Sequence, residues 1–274
     1  MKVWLDGALV DQDAARVSVL DHGLTVGDGV FETLAVLQGS VFAPTRHVAR
    51  LQRSAELLGL EPPPADLVAG AVSAVVAANA AELGPLARCR ITLTSGPGPA
   101  GSERGGGPGT LVVTTSSASP WPATTAVVTV PWPRNERGAL AGVKSTSYAE
   151  NAIALARARA AGASEAVVSN TRGELCEGTG SNVFVVIDGE VLTPALGSGC
   201  LAGITRALVL EWFDVTETVL PAEALHRAEE VFLTSSTRNV HPVSRIDGVE
   251  REPGPVATAM AAAFLDRMSA DLDP

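Results

Sequence analysis

The stretch from Ser116 to Thr124 contains Ser119-Pro120-Trp121-Pro122. Two prolines so close together remove two backbone donors and fix two φ angles, so neither a helix nor a central strand can run through it. Apolar, periodic segments flank it on both sides. The chain is therefore expected to fold as two α+β domains, residues 1–117 and 125–274, joined by a linker at 118–124. Its 274 residues are enough for two cores of ordinary size.

Before the linker, short apolar runs at 3–5, 17–19, 30–37 and 41–42 read as strands, with Asp6-Gly7 as a hairpin turn. Pro44-Thr45 opens a helix in which Val48, Leu51, Ala55 and Leu58 recur every three or four residues, and Gly59 closes it. Pro62-Pro63-Pro64 precedes a second helix expected over 65–83, and strands are expected at 90–93 and 111–115. The glycine-rich segment 96–109 between those strands has no GxxxxGK[ST] pattern and no following helix, which excludes a P-loop. After the linker the pattern predicts strands at 127–130, 166–169, 183–187, 191–193, 231–234 and 243–246. Helices are expected at 149–161, 204–212 and 256–268. Asp188-Gly189 and Asp247-Gly248 share the turn chemistry of Asp6-Gly7.

Composition narrows the chemistry. Of 20 basic residues only Lys2 and Lys144 are lysines. A chain that uses arginine wherever a positive charge suffices keeps lysine where arginine fails. Arginine cannot become a free amine nucleophile and lysine can, so Lys144 reads as a Schiff-base residue. A net charge of -10 argues against a nucleic-acid partner. Cys89, Cys176 and Cys200 form no ligand spacing, so no metal site is expected. No run of eighteen apolar residues occurs and Met1 to Asp6 does not resemble a signal peptide, so the expected setting is cytoplasmic, with no membrane partner.

If Lys144 forms an imine with an aldehyde cofactor, pyridoxal 5'-phosphate above all, other needs follow. The phosphate wants free N–H groups at a helix start, hydroxyls and an arginine. The ring nitrogen wants an acid, the ring oxygen wants a donor, and the lysine must lose its proton. Glu177, in a turn between two predicted strands, is the candidate acid. Gly203-Ile204-Thr205-Arg206 opens a helix after a loop, Ser235-Ser236-Thr237 follows an apolar strand, and Arg50 offers a guanidinium clamp.

The motifs and their order resemble the class IV aminotransferases, the fold type IV pyridoxal-phosphate enzymes that include branched-chain and D-amino acid aminotransferases and aminodeoxychorismate lyases. The matching segments are Asp21-His22-Gly23 through Glu32, His47 to Leu51 with Ser54-Ala55, Lys144 to Asn151, Glu177-Gly178 with Ser181-Asn182, Leu201 to Arg206, and Thr234 to Val243. The resemblance implies a D-amino acid aminotransferase-like fold working as a homodimer, its C-terminal domain carrying Lys144 and most cofactor contacts. Lys144 would be the Schiff-base lysine, Arg50 a phosphate ligand, Glu177 the partner of the pyridine nitrogen and Tyr148 the contact to the ring oxygen. Ile204, Thr205, Ser235, Ser236 and Thr237 would serve the phosphate, and Arg137, seven residues before Lys144, falls where relatives also carry an arginine and would stand behind the residues that touch the cofactor.

In the pocket wall the chain departs from the better-known relatives. Ala100 falls where D-amino acid aminotransferases hold the substrate carboxylate with arginine, and Arg104 in the same loop is the candidate replacement. Val26 and Phe31 stand where relatives carry tyrosines, which makes the wall more apolar. The expected reaction moves an amino group from a D- or branched-chain amino acid, or a simple amine, to a 2-keto acid. The alternative is release of pyruvate from aminodeoxychorismate by a lyase, and a non-catalytic cofactor carrier is the third reading.

Overall fold

A computed structural model describes residues 1–274. Contacts divide them into two units. The first comprises Met1–Pro120, Val143–Tyr148 and Asp271–Pro274, and the second Trp121–Gly142 and Ala149–Ala270. The break at Pro120 falls inside the expected linker. The return of Val143–Tyr148 is a correction, because the sequence division counts Lys144 with the C-terminal domain.

The first unit is built on strands β1 (Lys2–Leu5), β2 (Ala8–Asp11), β3 (Gly29–Leu37), β4 (Ser40–Val41), β5 (Leu86–Thr94) and β6 (Leu111–Ser117). They form one antiparallel sheet in the order β2-β1-β6-β5-β3-β4. Helices α2 (Pro44–Leu58) and α3 (Ala65–Ala78) pack on it, and a short helix α1 (His22–Thr25) leads into β3. Period-two alternation sorts the two faces of the sheet. Val30, Leu34 and Val36 of β3, with Cys89, Ile91 and Leu93 of β5, join Val48, Leu51 and Ala55 of α2 in a common core. Phe31, Thr33, Arg90 and Thr92 therefore belong to the opposite face.

Gly59 ends α2 at φ 72°, as expected. Helix α3 stops at Ala78, earlier than periodicity suggests, because Asn79 turns its side chain onto the Lys2 backbone and the Thr115 hydroxyl. Residues 17–19 form no strand and leave Val17 and Val19 exposed, since no neighbouring strand pairs with them. At the far end of the chain, Leu272 C=O accepts from Ala43 N–H and Asp273 accepts from the Thr45 backbone and hydroxyl. These contacts bring the last residues into the first unit.

The second unit contains β7 (Thr125–Thr129), β8 (Glu165–Ser169), β9 (Leu175–Gly178), β10 (Asn182–Ile187), β11 (Glu190–Pro194), β12 (Thr216–Thr218), β13 (Glu230–Ser235), β14 (Asn239–Ile246) and β15 (Val249–Glu250). They make a mixed sheet in the order β12-β11-β10-β13-β14-β7-β8-β9, with β15 added to β14. β9 also lies against β10 and β11, so the sheet curls toward closure around Val183, Val185, Leu225, Val231, Leu233 and Ile246. Helices α4 (Ala149–Ala160), α5 (Ile204–Trp212), α6 (Ala224–Arg227) and α7 (Pro255–Ala270) surround it. Asp6, Asp188 and Asp247 all have positive φ and each precedes a positive-φ glycine, as two-residue hairpin turns demand. No helix is long and apolar enough to cross a membrane.

Candidate active site

In the first unit the site begins with a short strand. β4 pairs only with Val36 and Leu37, so the other end of β3 has an open edge. The segment carrying Lys144 takes that edge: Phe31 N–H donates to Lys144 C=O at 2.9 Å, Thr146 N–H donates to Gly29 C=O at 2.8 Å, and Val30 bridges Ser145. Thr146 and Ser147 hydroxyls both donate to Gly27 C=O at 2.9 Å. Lys144 is thus fixed by backbone ladder bonds while its half-buried side chain stays on the Phe31 side of the sheet.

Phe31, only 4% exposed, is the hub of that face. Lys144 Nζ is 4.5 Å from its ring centroid, the Arg90 guanidinium is 3.7 Å from it, and Tyr148 meets it edge-on at 5.3 Å. These are cation–π and T-shaped geometries. Burial draws the Arg90 pKa below its ordinary value, against the opposing pull of Tyr148 and Glu32.

On the helix-covered face, alternation buries Glu32 completely among Val30 and Leu34. A carboxylate there must be paired. α2 supplies the pairing three residues apart on one helical face: Arg50 Nε and Nη2 each donate at 2.7 Å, and His47 Nδ1 lies 2.6 Å from Oε2. Burial alone would push the Glu32 pKa up, but Arg50 and His47 hold it far below the usual carboxylate range. Burial holds His47 below its ordinary value even beside Glu32.

Arg104 is engaged elsewhere. It forks onto Asp28 at 2.7 Å through both Nε and Nη2 and also donates to Leu58 and Gly59 C=O at the end of α2. This straps the glycine-rich loop down and uses the guanidinium that the sequence offers as a carboxylate trap. Ala100 and Val26 are exposed.

In the second unit Glu177 lies on β9 itself, paired with Val168, and not in a turn as the sequence suggests. The turn comes just after it, held by Gly178 N–H to Ser181 C=O and by the Glu165 carboxylate, which accepts from Thr179 N–H and from the Thr179 and Ser181 hydroxyls. Leu201 N–H donates to Glu177 Oε2 at 2.9 Å, and Arg134 Nη2 is 3.3 Å from Oε1. Arg137 does not reach it: its side chain is exposed and its ionic neighbour is Glu136.

α5 starts at Gly203 with no side-chain cap, while Ile204 and Thr205 are buried in its first turn. A Cβ on Gly203 would collide with Asn182 Oδ1, whose amide is anchored on Leu201 C=O at 2.8 Å. Ser235 ends β13, and Ser236 and Thr237 form the turn to Asn239, where Arg238 N–H approaches Ser235 Oγ at 3.3 Å. Thr234 Oγ1 is buried with no hydrogen-bond partner.

Taken unit by unit, the groups present are of the kinds a phosphate-bearing pyridine aldehyde uses: the second unit has an uncapped helix start with hydroxyls nearby and an anchored carboxylate, and the first has a lysine amine on an aromatic support. Sequence reasoning gave no role to Glu32, His47, Arg90 or Arg134. The alternation of β3 and the His47–Arg50 spacing carry a signal for the first two, whereas nothing in the local pattern marks the others.

Fold and residues together define a pyridoxal-phosphate-type amine-transfer enzyme of two α+β units. The chain belongs to the amino-transferase class IV family, whose model matches residues 29–246. It is 33% identical over 259 residues to a putative branched-chain-amino-acid aminotransferase of Methanocaldococcus jannaschii, covering 90% of this chain and 88% of that one. It is 29% identical to a D-alanine aminotransferase of Bacillus licheniformis, covering 96% of each. The crystal structure of the branched-chain aminotransferase of Thermoproteus uzoniensis with norvaline superposes with a TM-score of 0.90 at 30% identity, covering 97% of this chain and 93% of that one. Structural relatives have been solved with pyridoxamine 5'-phosphate and in a PLP-bound form. The fold is fold type IV and the chain is a class IV transaminase. Aminotransferase names among these relatives favour transamination over the lyase reaction.

Proposed function

We propose that this transaminase, which uses pyridoxal 5'-phosphate, takes its amino group from an α-amino acid with a small or branched aliphatic side chain and delivers it to a 2-keto acid. The observation that carries the choice of an amino acid over a simple amine is Arg90. Its guanidinium carbon lies over the same Phe31 ring as Lys144 Nζ, so a cation able to fork onto a carboxylate shares that ring with the lysine. The apolar Val26 and Phe31 suit an aliphatic substituent. The relatives named for branched-chain amino acids and D-alanine support both donor types.

Bound pyridoxal phosphate supplies the aldehyde that takes up the amine and the ring that draws electrons from the substrate carbon. Lys144 would be the lysine that links to it, and its free amine would take up and return the substrate proton. Its backbone C=O accepts from Phe31 N–H, and Thr146 N–H donates to Gly29 C=O two residues on, so the segment that carries the amine is held on the β3 edge. Tyr148 is assigned to the ring oxygen and Glu177 to the ring nitrogen. Ile204 and Thr205, with Ser235, Ser236 and Thr237, are assigned to the phosphate through backbone N–H and hydroxyl groups. Arg50, held by Glu32, adds positive charge for the phosphate. The exposed apolar run of Val17, Val19, Leu20 and Leu24 supports a homodimer, which light scattering of the purified protein tests.

The test of the donor is the absorption spectrum of the loaded enzyme as D-alanine, L-leucine and a simple (R)-amine are added separately without acceptor. Conversion to the aminated cofactor by an amino acid and not by the amine is the expected result. Conversion by the amine alone would overturn the reading. Loss of the lysine-linked band in Lys144→Ala checks the linkage.

A further inference from the structure

Arg134 stands in the loop after β7, three residues from the arginine that the sequence singles out, and its own backbone is fixed. Its N–H donates to Ser169 C=O at 2.7 Å, and the residue bridges Asn170. The two ends of its guanidinium go to different places. Nη1 points to Asn151 Oδ1 at 3.4 Å and Nη2 to Glu177 Oε1 at 3.3 Å. Asn151, buried in α4, donates in turn to Thr179 C=O at 2.6 Å, two residues beyond Glu177. The loop is thus tied to the strand end that carries the carboxylate by a closed ring of contacts, Arg134 to Glu177 and Arg134 through Asn151 to Thr179.

The neighbouring cations are committed elsewhere. Arg172 reaches Glu174 at 2.6 Å and Glu136 at 3.3 Å, and Arg137 lies against Glu136 at 3.6 Å. Cys176 and Cys200 are buried in an apolar cluster with Val168, so Glu177 and Leu201 each follow a cysteine of that cluster in the chain. The Glu177 side chain is itself only 12% exposed, and a carboxylate so far withdrawn from water needs partners for its oxygens. Leu201 N–H fixes one oxygen and Arg134 the other, which leaves little rotational freedom.

We infer that Arg134 is a positioning residue for the cofactor's ring nitrogen: it holds the Glu177 carboxylate in the single orientation from which it meets the nitrogen. The inference rests on the assignment of Glu177 to the ring nitrogen, and it makes Arg134 act on the nitrogen alone, not on cofactor binding in general.

An analogue of pyridoxal phosphate with carbon in place of the ring nitrogen separates these two effects. Apoprotein of the wild type and of Arg134→Gln, Arg134→Lys, Glu177→Gln and the Arg134→Gln/Glu177→Gln double variant is titrated with both compounds, and binding is read by absorbance. The wild type should prefer the natural cofactor. Arg134→Gln should cut that preference about tenfold, as expected for a charge-assisted contact, with affinity for the analogue unchanged. Arg134→Lys should recover part of it, and the double variant should be no worse than Glu177→Gln. Equal loss toward both compounds in Arg134→Gln would make the residue merely structural and overturn the inference. An undiminished preference in Arg134→Gln, with the preference lost in Glu177→Gln, would overturn it while sparing the Glu177 assignment. A preference that survives Glu177→Gln would remove that assignment and the inference with it.

Discussion

The Arg90 guanidinium carbon stands 3.7 Å from the centre of the Phe31 ring, on the face of the sheet opposite the helix layer. If that cation receives the donor's carboxylate, Arg90→Gln should raise KM for amino acids about 10- to 100-fold and leave kcat within a few-fold, because the contact is present in ground and transition states alike. Activity toward a simple amine should not fall. Steady-state kinetics with both donor types checks this, and a uniform loss across donors would contradict it.

The buried Glu32 cluster makes a stability prediction. Arg50→Met strands a carboxylate in an apolar face and should cost about 3–5 kcal/mol in urea unfolding. Adding Glu32→Gln to Arg50→Met should recover part of that loss, since the stranded charge is gone. Strict additivity of the two losses would show that the pair does not act as a unit.

Two histidines set the response to mild acid. Burial holds His47 and His241 below the ordinary histidine range, reinforced at His241 by Arg238. As pH falls through about 6.5 the unfolded chain takes up protons at these positions and the folded chain does not, so stability declines. The decline should amount to at most about 1.4 kcal/mol per pH unit for His47 and should level off once pH passes below the folded value. Urea midpoints at pH 7.5, 6.5 and 5.5 measure it. His241→Gln should flatten the curve, and an unchanged slope would assign the effect elsewhere.

Gly203→Ala places a methyl group against Asn182 Oδ1 at the start of α5. Overpacking of this kind costs about 1–3 kcal/mol, and the displaced first turn should weaken binding of the phosphate group. Thermal melts of the apoprotein read the first effect, and titration with pyridoxal phosphate reads the second. Wild-type affinity in the variant would show that the anion does not use this helix start.

Much of this molecule is legible in its sequence because the relevant signals are local. Pro44 and Gly59 bracket α2, the Asp-Gly pairs mark hairpins, and the lone interior lysine stands out by composition. The remainder depends on contacts distant in the chain. Arg90 looks like an ordinary strand residue until β5 is known to pair with β3 and bring it to Phe31. Arg134 and Arg137 are equivalent as letters, and only the bridge from Arg134 to Asn170 shows which one faces Glu177. Residues 17–19 are apolar enough for a strand, yet an apolar run without a partner strand has nothing to pair with.

The chain passes from one unit to the other at Pro120, again on either side of Val143–Tyr148, and once more at Ala270. On the ribosome, the first sheet therefore emerges with the β3 edge at Val30 and Phe31 bare, and the missing segment arrives only after Tyr148 has been made. The bonds from Ala43 and Thr45 to Leu272 and Asp273 wait for the final residues. An uncovered strand edge is a template for aggregation. Expression of residues 1–120 alone would leave it permanently open, and the stretch that closes it is the one that carries Lys144.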